Sequence, residues 1–149
     1  MDEPAGPVVR ECVEGYLFAR SPLELLLFRR PPSRGRIWVP ISGKVDPSDR
    51  DLEAALRREL KEETGLVHPL RLFPLEWHVR FRSDNGETWR LHAYGVEVAR
   101  EFTPVLSAEH EESRWVAPEE GVALLHYDDN RTAVERLVAR LSASPSPNL

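Results

Sequence analysis

The chain has 149 residues and a mass of 17.1 kDa, with 41% hydrophobic and 30% charged residues. That is enough apolar material for one core and too little length for two ordinary domains. No apolar stretch approaches the roughly 20 residues of a membrane-spanning helix, and the 8% aromatic content with evenly spread charge argues against disorder. A net charge of -5 is the wrong sign for an extended grip on nucleic acid and leaves small anionic ligands open.

The acidic start, Met1-Asp2-Glu3-Pro4, lacks the basic segment and apolar block of a secretory signal, so a cytoplasmic location is expected. A single cysteine, Cys12, cannot form an internal disulfide, and His68, His78, His92, His110 and His126 are too scattered for zinc-ligand spacing. Of the 20 basic residues only Lys44 and Lys61 are lysines, a bias that genome composition alone can produce.

Residues 1–8 and the Ser/Pro-rich residues 142–149 are expected to be loose ends around one domain spanning 9–141. Cys12 to Ala19 and Leu23 to Arg29 read as a hairpin of short strands turning at Arg20-Ser21-Pro22. A Pro/Gly/Arg loop follows, carrying Arg29, Arg30, Arg34 and Arg36, and then Ile37-Trp38-Val39, an apolar piece stopped by Pro40.

From Asp49 to Thr64 the apolar residues Leu52, Ala55, Leu56 and Leu60 recur at helical spacing, with Ser48 or Asp49 as candidate caps and Gly65 as the stop. Leu70 to Arg82 and Glu87 to Ala99 alternate as two longer strands around Ser83-Asp84-Asn85-Gly86, where Asn-Gly marks a hairpin. Ser113 to Ala117 reads as a last strand, Pro118 to about Leu125 as a short helix, and Asn130 to Leu141 as an amphipathic helix. The regular rhythm of a doubly wound fold is missing, which favours an α/β architecture of a central mixed β-sheet with helices on both faces.

Chemistry concentrates between residues 43 and 66. At about 100° per residue, Glu63 lies roughly 40° to one side of Glu59 and Glu62 roughly 60° to the other, so three carboxylates share one arc of the helix. Such an arrangement repels itself without a cation, and all-oxygen donors suit Mg²⁺, Mn²⁺ or Ca²⁺. The alternative is a solvated face in which Arg57, Arg58 and Lys61 balance the charge. Leu52, Leu56 and Leu60 lie near the same side as the glutamates, which would put the carboxylates at the edge of a buried face.

These residues resemble the Nudix hydrolase signature, G-x5-E-x7-R-E-U-x-E-E-x-G-U with U aliphatic. Gly43, Arg58, Glu59, Leu60, Glu62, Glu63, Gly65 and Leu66 match it. Asp49 stands where the first glutamate belongs, and the stretch from Gly43 to Glu59 is one residue longer than the pattern; a loop near Arg50 absorbs an extra residue more cheaply than a helix.

The resemblance implies the Nudix α/β/α sandwich, with Glu59, Glu62 and Glu63 as ligands of a catalytic Mg²⁺ or Mn²⁺, the Gly43 carbonyl as a further ligand, and Arg58 orienting a glutamate. Leu106 to Val116, Pro118-Glu119-Glu120 and Asp129-Asn130-Arg131 look like the branch similar to dihydroneopterin triphosphate pyrophosphatase. There a later glutamate near the metals maps to Glu109, with Glu111 and Glu112 as rivals. The implied substrate is a nucleoside or pterin triphosphate, cut to monophosphate and pyrophosphate; the alternatives are a dinucleoside polyphosphate, a nucleotide sugar, a capped RNA end, or a non-catalytic nucleotide-binding module.

Around this box, Arg29, Arg30, Arg34 and Arg36 form a positive patch suited to phosphates, or a solvated loop. Lys44, directly after Gly43, is a further candidate for binding substrate. Trp38, Trp77, Trp89 and Tyr94 are either core residues or stacking partners for a ring, with Trp38 the leading candidate to stack because it immediately precedes the box. His78, His92 and His110 could serve as acid or base, although a strand histidine is usually structural.

Overall fold

The computed structural model describes residue 4 and residues 6–143; the rest of the expected loose ends lies outside the described residues. Seven strands form one sheet, β1 (Val8–Ala19), β2 (Glu24–Arg29), β3 (Trp38–Val39), β4 (Ile41–Lys44), β5 (Arg71–Arg82), β6 (Thr88–Glu97) and β7 (Glu112–Val116). Three α-helices accompany them among the described residues, α1 (Leu52–Thr64), α2 (Pro118–Leu124) and α3 (Asp128–Ala143).

The main strand order is β3-β2-β1-β6-β5, with β4 against β1 and β7 against β2. β1 and β6 run parallel and the other pairs antiparallel, so the sheet is mixed. Alternation along β1 divides the core: Val13 and Leu17 meet Ala55, Leu56 and Leu60 of α1, while Tyr16 and Phe18 meet Ala133, Val134, Leu137 and Leu141 of α3. The result is the expected sandwich, with helices on both faces of the sheet.

Several boundaries differ from the sequence reading. The cap of α1 is Asp51, whose carboxylate accepts the Ala54 N–H at 2.8 Å; neither Ser48 nor Asp49 has that place, because Asp49 is engaged elsewhere. Arg50 precedes the helix, so the extra residue lies in a loop. Four residues between Pro40 and Val45 form β4, a strand too short to show alternation and broken in pattern by Gly43, and it pairs with β1 through Gly43↔Val13 and Lys44↔Cys12. β5 shifts register between Pro74 and His78, where Glu76 has a φ of 56°.

Candidate active site

The site forms where three segments converge on the C-terminal half of α1. β4 supplies Ser42, Gly43 and Lys44, α1 supplies Arg58, Glu59, Glu62 and Glu63, and the connection before β7 supplies Glu109 and His110. Val105 N–H donates to the Thr64 carbonyl at 2.9 Å and Glu111 N–H to the Arg29 carbonyl at 2.8 Å. These two bonds pin the connection carrying Glu109 against the end of α1 and the end of β2.

The three helix glutamates differ in exposure. Glu63 is 3% exposed and the Glu59 side chain 12%, whereas the Glu62 side chain is 57% exposed and lies on the rim. Gly43 is required by its proximity to Glu59, since a Cβ there would fall 2.1 Å from the Glu59 carboxyl carbon.

Arg58 ties the elements together. Its Nε and Nη2 donate to the two Asp49 oxygens at 3.0 and 2.8 Å, Nη2 also to the Lys44 carbonyl at 3.0 Å, and Nη1 to Glu59 at 2.9 Å and Glu62 at 3.2 Å. Asp49 also accepts the Asp46 N–H at 2.7 Å, so the loop folds back to present its carboxylate. The hydrogen bonds from Arg58 hold the Asp49 carboxyl below its usual range.

Burial pushes the Glu63 carboxyl up to about 9, reinforced by Glu109, Glu59 and Glu62. Its partner Glu109 is shifted down, first by its hydrogen bond with Glu63, with Arg34 and His110 contributing favourable charge. The two carboxyls therefore share one proton, drawn towards Glu63 by its burial. Glu63 Oε2 is buried without a protein partner. Among the described residues no three acidic, histidine or cysteine side chains converge as a ready-made metal cage. The crowded carboxylates and the unpartnered oxygen nevertheless fit a hard divalent cation, which would replace the Glu63 proton and the Arg58 contact on Glu59.

Beside Glu63 lies a cavity of about 50 Å³ lined by Arg30, Arg34, Ser42, Glu63, Glu109 and His110. His110 packs on Phe28 with ring centroids 5.4 Å apart, its Nδ1 has no partner, and burial lowers it to about 4, so its ring is neutral near pH 7. Sequence reasoning did not place Ser42 here and gave His110 only a general acid–base role; their neighbours Gly43 and Glu109 were the available signals.

The arginine loop divides in two. Arg30 and Arg34 line the cavity, with Arg34 3.5 Å from Glu109. Arg29 pairs with Glu111 and Glu112 at 2.8 Å each, and Arg36 pairs with Glu111 at 3.1 Å, so Glu111 and Glu112 are occupied by arginines while Glu109 meets Glu63. Trp38 is buried in the α3-side core between Arg29 and Arg114, 5.7 and 4.8 Å from its ring. Lys44 is exposed, with its Nζ 5.0 Å from the Trp89 ring.

The NUDIX domain family model matches residues 15–137, which take in the whole of this site. The chain belongs to the Nudix family. This Nudix hydrolase is 30% identical over 117 residues to the mouse asymmetrical bis(5'-nucleosyl)-tetraphosphatase, covering 73% of this chain and 75% of the relative. It is also 30% identical over 139 residues to an octanoyltransferase of Myxococcus xanthus, covering 91% of this chain but only 38% of that protein. In fold it resembles the E. coli dihydroneopterin triphosphate pyrophosphohydrolase, with a TM-score of 0.77, 20% identity, and coverage of 90% of this chain and 99% of the other. No helix among the described residues is long and apolar enough to cross a membrane.

Proposed function

We propose that this Nudix hydrolase cleaves a phosphoanhydride bond in a nucleoside polyphosphate, with Mg²⁺ or Mn²⁺ held by Glu59, Glu63 and Glu109, Glu62 at the rim and the Gly43 carbonyl beside them. The observation that carries this reading is the buried, unpartnered Glu63 oxygen set among carboxylates and faced by Arg30 and Arg34 across one small cavity. A bound divalent cation supplies neutralisation of phosphate charge and activation of water.

The protein's own residues account for the rest. Asp49 and Arg58 fix Glu59, and Arg30 and Arg34 compensate phosphate charge beyond the cation. Glu109, which lines the cavity 3.5 Å from Arg34, orients water there and accepts its proton. The water oxygen bonds to phosphorus, the bridging P–O bond breaks, and the released phosphate carries the electron pair away.

A nucleoside or pterin triphosphate would give monophosphate and pyrophosphate. A second reading, a dinucleoside polyphosphate, is favoured by the 30% identity to the mouse tetraphosphatase over most of its length. Both are separated by incubating the protein with triphosphates, dinucleoside polyphosphates and nucleotide sugars, with Mg²⁺, Mn²⁺ or chelator, and identifying the products chromatographically. Metal-dependent pyrophosphate from triphosphates supports the first, a mononucleotide with the complementary nucleotide from dinucleoside substrates supports the second, and silence across the panel overturns the proposal.

A further inference from the structure

The sheet face towards α3 continues past the first turn of that helix. There Val79↔Leu91 and Phe81↔Trp89 are paired across β5 and β6, and Arg10↔Trp89, Cys12↔Leu91 and Cys12↔Lys44 pair across β1 to its neighbours. Leu91 lies two residues before Ala93, a member of the α3-side core, so this cross-strand ladder shares that face. Val79, Phe81, Trp89 and Leu91 are half-buried and belong to neither core cluster.

Trp89 is the built part of this face. Phe81 meets its ring edge-on, with centroids 5.8 Å apart, and its Nε1 donates to Glu87 at 3.0 Å, which fixes the indole plane. The Lys44 ammonium lies 5.0 Å and the Arg10 guanidinium 5.9 Å from the ring centroid. Ser42, two residues before Lys44 on β4, lies on the same face and lines the cavity beside Glu63 and Glu109. Ser42 lies in the Glu14 row of the sheet and Trp89 in the Arg10 row, four residues or roughly 13 Å along the strands, a span that a ribose with its phosphate chain covers between the cavity and a ring at Trp89.

We propose that Trp89, braced by Phe81 and flanked by Lys44 and Arg10, is the platform on which the flat aromatic head group of the substrate stacks. This inference rests on the nucleoside polyphosphate reading. A ring seated there would take the place of the two cations that lie over the indole and move them to its own flank, available to its adjoining phosphate or to its π face. Trp38 is excluded from this role by its burial between two arginines.

The test is calorimetric binding, with Mg²⁺, of α,β-methylene analogues of ATP and GTP and of inorganic tripolyphosphate, which has no ring. The preference of the wild type for nucleotide over tripolyphosphate should fall at least about tenfold in Trp89→Leu, be substantially restored in Trp89→Phe, and fall more mildly in Lys44→Met. A preference unaltered in Trp89→Leu, or no preference in the wild type, overturns the platform while leaving the hydrolase reading intact. A nucleotide preference that depends on Trp89 supports the platform even if no nucleoside polyphosphate is cleaved, in which case the substrate reading alone fails. Circular dichroism of each variant separates a folded protein from a collapsed one, and the exposed Lys44→Met keeps the test decisive if Trp89→Leu does not fold, since an unaltered preference there overturns the platform.

Discussion

Asp49 and Arg58 form a two-pronged ion pair, Nε to Oδ1 at 3.0 Å and Nη2 to Oδ2 at 2.8 Å, at the position where the Nudix pattern has a glutamate. The carboxylate is one methylene shorter than that glutamate. The loop makes up the difference by folding residues 46–49 into a turn that brings Asp49 to the arginine. Replacing Asp49 with Asn should therefore lower turnover about 10–100-fold and weaken Mn²⁺ binding, as loss of supporting contacts to metal ligands generally does. Steady-state kinetics with a Mn²⁺ titration checks this, and undiminished activity would remove the pair from the site.

Glu63→Gln should lower turnover by at least about a hundredfold, because the side chain can no longer contribute an anionic ligand. The thermal midpoint of the metal-free protein at pH 7 should stay level or rise, since Gln removes a buried carboxyl crowded by Glu109 and Glu59. A large drop in the midpoint would instead assign Glu63 a structural role.

Gly43→Ala tests the closeness of β4 to Glu59. A methyl group 2.1 Å from the Glu59 carboxyl carbon must displace either the carboxylate or the strand. Metal affinity and turnover should both fall at least about tenfold while far-ultraviolet circular dichroism persists. Wild-type kinetics would show that the approach can relax at no cost.

The arginine loop should divide functionally as it does spatially. Arg30→Ala and Arg34→Ala should raise KM more than they lower kcat, because both residues line the cavity and neither is a metal ligand. Arg29→Ala, which breaks pairs with Glu111 and Glu112 across β2 and β7, should alter the thermal midpoint more than KM. The reverse pattern would place the phosphates on the other side of the loop.

Glu14 gives a pH dependence separate from the candidate metal ligands. It is buried in the α3-side layer, accepts hydrogen bonds from Tyr16 and Asn130, and desolvation raises its carboxyl from 4.5 to about 7. Its protonated form is favoured by folding, so its contribution is fully present below about pH 4.5 and is lost as pH rises towards 7. The loss is about 3 kcal/mol by linkage. Urea unfolding of wild type and Glu14→Gln at pH 4.5 and 8 should show a stability difference between them that shifts by this order, in favour of Gln at pH 8.

Much of this was legible in the sequence. α1 declared itself through Leu52, Ala55, Leu56 and Leu60, and the Glu59, Glu62, Glu63 arc followed from helical geometry. Periodicity could not show that Glu62 would lie on the rim, because that depends on β4 and on the segment around Glu109 closing over the other two. β4 escaped detection because its pairing with β1 is nonlocal and only four residues long. The fates of Arg29, Arg36 and Trp38 were likewise set by partners 75 to 83 residues away, Glu111, Glu112 and Arg114, which no local pattern announces.

The alternation within β4 has a practical consequence for altering this enzyme. Ser42 and Lys44 project from one face of the strand and Gly43 from the other, next to Glu59. On the platform proposal, substrate preference should respond to changes at Ser42 and Lys44 while Gly43 keeps its close approach to Glu59. A single inserted or deleted residue in β4 would exchange the two faces, so libraries aimed at new substrates should vary side chains here and hold loop length fixed.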